Sequence, residues 1–137
     1  MGIARIRGQD RALRALTLAL SQGRFHHAYR FQGPEGVGKE MTAHHMAALL
    51  ECTAPTSCAM PAGGEEGGSV EIPEPCGLCD DCRKVGAGNH PDVALVAAEK
   101  GKAVISIAQI REVTGFAHFS PGEGKHKVII VRDADRI

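Results

Sequence analysis

The fold is decided by one stretch, Gly33-Pro34-Glu35-Gly36-Val37-Gly38-Lys39-Glu40. It follows a short strand-like segment at residues 29–32 and precedes a helix-like segment at residues 39–51. In that context, Gly-x-x-x-x-Gly-Lys is typical of a loop whose backbone N–H groups and lysine surround a polyphosphate at a helix N-terminus. We therefore predict a degenerate nucleotide-binding loop that comprises Gly33, Gly36, Val37, Gly38, Lys39 and Glu40.

Two positions depart from the pattern of an active nucleotide site. Glu40 stands where a Ser or Thr hydroxyl normally binds Mg²⁺. The apolar segment at residues 127–131 is followed by Arg132 and then Asp133, where an acidic pair is expected. The alternative is that Asp133 and Asp135 are ordinary loop residues. Because both departures remove support for Mg²⁺, we expect no ATP hydrolysis and at most weak nucleotide binding without Mg²⁺.

The remaining pattern predicts an α/β protein with a parallel sheet and flanking helices. Helices are expected at 10–22, at 39–51, shortly after Cys76, and from a Ser106–Gln109 capping box to about residue 119. Strands are expected at 29–32, 93–98 and 127–131. Three strands are few for such a sheet, so we expect residues 1–137 to form a partial, truncated domain.

The five cysteines indicate a metal site, since an odd number argues against a disulfide framework. Cys76, Cys79 and Cys82 have tight-turn spacing, and a tetrahedral Zn²⁺ needs one more ligand. Cys52 and Cys58 compete for that position. We favour Cys52, because a ligand at a helix end loses less entropy than one in a loose loop. Free buried thiols and an iron–sulfur cluster are the alternatives to a structural Zn²⁺.

Residues 53–75 contain four prolines, four glycines and four acidic residues but no basic residue. This composition shows no periodicity and predicts a flexible, dispensable linker. The linker would lie inside an inserted zinc module that spans residues 52–88.

The composition also excludes some classes of protein. Sixteen basic residues balance sixteen acidic ones, which argues against a polybasic DNA-coating protein or an acidic tail protein. No apolar run is long enough to cross a membrane, and charges interrupt any signal sequence at the N-terminus. We therefore expect a cytoplasmic protein with no membrane partner. The paired histidines at 26–27 and 44–45 are interpreted as surface or packing residues, and His90 is assigned no chemistry.

Several segments together resemble the bacterial clamp-loader subunits, which are AAA+ proteins with a Cys₄ zinc module after the phosphate-loop helix. The resemblance rests on Gly8-Gln9, residues 23–31, the glycine loop and the cysteine module, and it covers nearly the whole chain except residues 53–75. Within this family, a gamma/tau motor subunit would keep the Mg²⁺-binding threonine and the acidic pair. The delta-prime type is more similar at four places: Asn89-His90-Pro91-Asp92, Lys100-Gly101-Lys102, Ile107 to Arg111, and Asp133 to Arg136.

The resemblance implies a subunit of the DNA polymerase III holoenzyme that helps to load the sliding clamp onto primed DNA. It implies a hetero-oligomer with the gamma/tau motor and delta subunits, contact with primer–template DNA through that complex, and an arginine beyond Ile137 that acts on a neighbour's ATP site. The complex is a DNA-directed DNA polymerase, but we expect no catalytic residue in this chain. The alternatives are an ATP-hydrolysing gamma/tau-type motor and a non-enzymatic zinc module that binds nucleic acid. Against the latter, Asp80 and Asp81 offset the charges of Arg83 and Lys84.

Overall fold

The computed structural model describes residues 9–61, 67–122 and 125–136. Four helices and four strands occupy these residues, followed by a short 3₁₀ turn at Ala134–Arg136. The elements in chain order are α1 Asp10–Ser21, α2 Lys39–Glu51, β1 Thr56–Pro61, β2 Ser69–Glu74, α3 Asp80–Ala87, β3 Val93–Val96, α4 Ile107–Ala117 and β4 Val128–Val131. No helix in this part of the chain is both long enough and apolar enough to cross a membrane.

A small parallel sheet with helices confirms the predicted α/β class. Strands β3 and β4 pair in parallel, from Val93 opposite Val128 to Val96 opposite Val131. Helix α4 lies between them in the chain, as a parallel crossover requires. The sheet is covered by α2 and α3, whose Ala47, Ala48 and Val85 form one buried cluster with Ile130.

Local sequence signals explain where two of the helices begin. Gly38 caps α2 with a left-handed backbone (φ 98°), a conformation that side chains other than glycine rarely adopt. At α4, the Ser106 hydroxyl accepts a hydrogen bond from the Gln109 N–H at 3.2 Å. The Gln109 side-chain oxygen accepts one from the Ser106 N–H at 2.9 Å, which completes the predicted capping box. The predicted bounds of α2 are confirmed, and α4 ends at Ala117, about two residues before the predicted end.

The predicted strand at residues 29–32 is wrong, because this segment is irregular. Strand structure requires a partner for its backbone N–H and C=O groups. Within the described residues, β4 pairs only with β3, and the segment at 29–32 pairs with no strand. Tyr29 is correspondingly exposed. The parallel sheet of the described residues therefore has two strands where the sequence predicted three.

The prediction that residues 53–75 lack regular structure is also wrong. Strands β1 and β2 form an antiparallel hairpin, from Thr56 opposite Glu74 to Pro61 opposite Ser69. Ile72 is fully buried and packs with Met60 of β1 and Leu13 of α1. The alternation that places Val70 and Ile72 on one face of β2 is short and flanked by proline, so the composition obscured it. Residues 62–66 of the predicted linker lie outside the described residues.

The buried hairpin face leads to a stability prediction. We expect Ile72→Ala to lower the free energy of unfolding by about 2–5 kcal/mol, because it leaves a cavity against Leu13 and Met60. Glu71→Ala, at the exposed neighbouring position, is the matched control and should change it by no more than about 0.5 kcal/mol. Urea unfolding of the two variants measures both values. Equal, small effects would show that the hairpin is loosely held.

A second prediction concerns His45 on α2, whose side chain is buried and whose ring nitrogens have no hydrogen-bond partner among the residues that the structure describes. Burial lowers the pKa of His45 below its ordinary value of 6.5, and the nearby Glu74 only partly opposes this shift. The unfolded chain therefore binds a proton below pH 6.5 that the folded chain does not bind. The free energy of unfolding should therefore carry no penalty from His45 above that pH, and below it the free energy should fall by up to about 1.4 kcal/mol per pH unit.

Unfolding curves about one unit above and below pH 6.5 test the assignment to His45. The loss of stability at the lower pH should be smaller in His45→Leu than in the unmutated protein. The exposed His118 supplies a control, since His118→Gln should retain the full loss. An unchanged pH dependence in His45→Leu would contradict the prediction.

Candidate functional site

Four cysteines converge where the end of α2 meets the start of α3. Cys52 directly follows α2, Cys76 follows β2, Cys79 caps α3, and Cys82 lies in the first turn of α3. Their four sulfur atoms all lie within 4.8 Å of one another. The Cys76–Cys82 and Cys52–Cys79 sulfur pairs are each 4.0 Å apart. No disulfide joins them.

The donor set fits a tetrahedral metal ion. Zn–S bonds of about 2.3 Å place the corners of a tetrahedron about 3.8 Å apart, close to the observed spacing. Backbone N–H groups point at the sulfurs: that of Cys76 donates to Cys52 Sγ at 3.3 Å, and that of Cys82 donates to Cys79 Sγ at 3.4 Å. Such donors stabilise thiolates, which are the form that binds metal. Four cysteines complete the coordination shell, so this group could hold a metal ion but leaves no position for a substrate.

Charge on the sulfurs also favours a cation. Burial opposes ionisation of Cys79, but hydrogen bonds from Thr53 and Cys82 outweigh it and lower the pKa of Cys79 to about 6. Burial raises the pKa of Cys82 well above its ordinary range. Adjacent thiolates repel one another, so a cation is needed for all four sulfurs to be ionised together.

The structure separates the two candidates for the fourth ligand. Cys52 lies in the sulfur cluster. Cys58 lies in β1 and packs against the cluster formed by Leu13, Met60 and Ile72. The geometry therefore supports Cys52 over Cys58.

A buried polar network joins the cysteine cluster to the sheet. Glu51, next to Cys52, is fully buried, and its carboxylate accepts hydrogen bonds from the backbone N–H groups of Lys125 at 3.0 Å and His126 at 2.8 Å. The Lys125 ammonium donates to the Cys52 carbonyl at 3.0 Å. Lys125 and His126 lie three and two residues before the start of β4, so the end of α2 is fixed to the segment that leads into that strand.

His90 belongs to the same network, although its sequence context assigned it no chemistry. Its Nδ1 accepts a hydrogen bond from the Asp92 N–H at 3.1 Å, which leaves the ring proton on Nε2. Nε2 lies 2.8 Å from Asp81 Oδ1 and 3.8 Å from Glu51 Oε2. His90 therefore links α3 to the end of α2 and to the beginning of β3. No sequence pattern signalled this contact, because Glu51 and Asp81 lie on other elements.

The glycine loop has the backbone that its sequence predicts at two positions. Gly36 and Gly38 have left-handed φ values of 85° and 98°. Lys39 folds back so that its ammonium donates to the Gly33 carbonyl at 2.6 Å. The residues that the sequence grouped as a nucleotide-binding loop thus form one continuous turn into α2.

Glu40 and Arg132 contact each other. In the sequence they are two separate departures from the pattern of an active nucleotide site. Arg132 Nε donates to Glu40 Oε2 at 3.0 Å, and a second guanidinium nitrogen, Nη2, donates to Oε1. The Arg132 guanidinium lowers the pKa of Glu40, whose carboxylate in turn raises the pKa of Arg132. Asp133 follows in a left-handed conformation (φ 51°) and is exposed. Nothing local in the sequence indicates the contact, because 92 positions separate the partners.

Comparison with known proteins decides the family. A family model described as "DNA polymerase III, delta subunit" matches residues 8–137. The chain belongs to this family. This confirms the relationship that the glycine loop and the cysteine module indicated.

Several curated members of the family are similar to the chain. It is 33% identical over 109 residues to the DNA polymerase III subunit delta' of Pseudomonas aeruginosa, which covers 80% of this chain and 29% of that protein. It is 34% identical over 125 residues to the subunit tau of Escherichia coli, covering 90% of this chain and 16% of that protein. Subunit gamma/tau of Mycobacterium tuberculosis H37Rv is 32% identical over 139 residues, covering 98% of this chain and 20% of that protein. The chain thus spans less than a third of the length of these relatives.

Proposed function

We propose that this chain is part of a clamp-loader subunit of the delta-prime type, which helps to load the sliding clamp onto primed DNA without hydrolysing ATP itself. In this proposed subunit, residues 1–137 form part of an AAA+ domain, and Gly33–Glu40 is a degenerate nucleotide loop. The Glu40–Arg132 contact carries the proposal, because it occupies both positions from which such a loop would support Mg²⁺.

The chemistry of phosphoryl transfer explains why this contact matters. Transfer requires Mg²⁺ that bridges the outer phosphates and neutralises the developing charge. Glu40 supplies an ionised carboxylate in place of the metal-binding hydroxyl, and Arg132 supplies a cation where an acid would support the metal. The chain retains Lys39 and the loop N–H groups as phosphate ligands, and the Lys39 ammonium would exchange the Gly33 carbonyl for a phosphate oxygen. The site therefore suits weak nucleotide binding without Mg²⁺ and does not suit hydrolysis.

The proposed partners are the gamma/tau motor and delta subunits, in a hetero-oligomer that reaches primer–template DNA as a complex. Similarity to subunits named delta' and tau of DNA polymerase III supports this assignment. The isolated zinc module is a weaker candidate for nucleic-acid binding. Arg83, the exposed cation on α3, lies 2.9 Å from Asp80, which offsets its charge.

We further propose that Cys52, Cys76, Cys79 and Cys82 bind one structural Zn²⁺ within residues 52–88. The support is the four-sulfur geometry and the N–H groups directed at the sulfurs. A metal at this position would hold the start of α3 against the end of α2, and so would stabilise the module without reacting.

Metal analysis of two serine variants tests the ligand set. We expect about one Zn²⁺ per chain in the unmutated protein, because four thiolates form a complete tetrahedral site. Cys52→Ser should lower the zinc content and the melting temperature, since it removes one ligand. Cys58→Ser is the matched control and should retain the zinc. Loss of zinc in Cys58→Ser but not in Cys52→Ser would show that the fourth ligand is Cys58.

An ATP-hydrolysing motor of the gamma/tau type is the second candidate, favoured by 34% identity to a tau subunit over 90% of this chain. Steady-state ATPase assays on the natural full-length protein separate the two candidates. We expect no turnover above that of buffer, because the two positions that would support Mg²⁺ carry a mutually paired carboxylate and guanidinium.

Lys39→Ala serves as the control, since it removes the lysine on which any activity of this loop would depend. The unmutated full-length protein should also co-purify with the gamma/tau and delta subunits of its organism. Robust turnover that Lys39→Ala abolishes would contradict the delta-prime assignment and support the motor. Failure to co-purify would contradict the proposed assembly.

A further inference from the structure

The Glu40–Arg132 contact joins two elements that are distant in sequence. Glu40 lies in the first turn of α2, and Arg132 directly follows β4. Both carboxylate oxygens accept hydrogen bonds from the guanidinium, an arrangement in which each bond is charge-assisted and the direction of approach is fixed. His44 adds a third group, with its Nε2 3.5 Å from Glu40 Oε1.

The same two positions are those at which a phosphate loop of this type supports a divalent cation. The residue after the lysine supplies a hydroxyl to the metal, and the residue after the strand supplies an acid. A metal held in this way bridges the start of the helix and the end of the strand. In this chain, a carboxylate and a guanidinium connect the same two elements directly.

We infer that the Glu40–Arg132 ion pair takes the place of the divalent cation, fixing the glycine-loop helix to the end of β4 and closing the metal position. The inference rests on the proposed assignment of Gly33–Glu40 as a degenerate nucleotide loop. It goes beyond that assignment because it makes the two substitutions one interacting unit instead of two independent losses.

Electrostatics supports a closed metal position. The Arg132 guanidinium carries a positive charge at the residue position that would otherwise supply an acid to Mg²⁺, and a cation there would repel the metal ion. Both oxygens of Glu40 are already hydrogen-bonded, so the carboxylate has no need of a metal. Lys39 also has a partner, the Gly33 carbonyl at 2.6 Å. The Glu40–Arg132 pair is therefore balanced in charge, and the Lys39 ammonium is hydrogen-bonded to a backbone carbonyl.

Exposure limits how much stability the pair provides, since the side chains of Arg132 and Glu40 are 45% and 42% exposed. Solvent and salt weaken exposed ion pairs, so the expected effect on melting temperature is a few degrees. The bidentate geometry and the long separation in sequence distinguish this pair from a local surface pair. The pair between Glu99 and Lys102, at 2.7 Å and with similar exposure, lies within a single turn and provides a matched comparison.

A double-mutant cycle on the natural full-length protein tests the interaction. Glu40→Gln and Arg132→Gln should each lower the melting temperature by about 2–4 °C. The double variant should melt no lower than the less stable single variant, because the second substitution has no pair left to break. The charge-exchanged variant, Glu40→Arg with Arg132→Glu, should recover at least part of the loss at about 0.1 M salt and less at about 1 M. Glu99→Gln, the control, should have a smaller effect than either single variant.

Nucleotide binding tests the closed metal position. A fluorescent ATP analogue should bind the unmutated protein weakly, with the same affinity in the presence and absence of Mg²⁺. In Glu40→Thr with Arg132→Asp, which restores the usual ligand types, Mg²⁺ should strengthen binding by about tenfold or more. Additive losses in the melting cycle without recovery on charge exchange would overturn the inference, as would Mg²⁺-strengthened binding to the unmutated protein. Because these measurements use the protein alone, a failure to assemble with other subunits bears only on the proposed function.

Discussion

The hydrogen bonds that the buried Glu51 carboxylate accepts hold the end of α2 against the segment before β4, and the packing of the other elements depends on them. Glu51 is fully buried, and its carboxylate satisfies two backbone N–H groups just before β4 that would otherwise need another partner. Cys52 follows it immediately and lies among the four sulfurs, while His90 lies within 3.8 Å of it. The end of α2 is therefore the point where the cysteine cluster and the parallel sheet meet.

Helix α2 is held to the β4 segment at both of its ends. Glu51 at the end of α2 contacts the residues before β4, and Glu40 at its start contacts Arg132 after β4. Between them, Ala47 and Ala48 pack against Ile130. The helix thus lies antiparallel to β4, as in the crossover layout of a parallel sheet. A buried carboxylate and an exposed ion pair make these two attachments, so the first is little screened by salt and the second is screened strongly.

Under the proposed function, the two attachments of α2 explain how a glycine loop of the nucleotide-binding type could be retained in a subunit that does not hydrolyse ATP. The glycine loop keeps its left-handed turns, and Lys39 keeps its position at the start of α2. What differs is the pair of positions that would support a metal, and in this chain they contact each other. The chain belongs to the DNA polymerase III family and is similar to both tau and delta' subunits. In such a family, the residues at one site can differ while the fold is retained.

Short-range sequence signals were sufficient to predict three features, namely the glycine turn into α2, the capping box of α4, and the three closely spaced cysteines near α3. They also favoured Cys52 over Cys58, because the end of a helix is an ordered position for a ligand. The remaining features depend on contacts that form in the folded chain. The hairpin at residues 56–74 depends on burial of Ile72 against α1, and the absence of a strand at residues 29–32 follows from the lack of a pairing partner among the described residues. Glu40 contacts Arg132, and His90 contacts both Glu51 and Asp81. Each of these contacts joins residues on different elements, which no local pattern encodes. Hydrogen bonds and ion pairs act over a few ångströms in space, whatever the separation along the chain, so the partners can be identified only once the fold has brought them together.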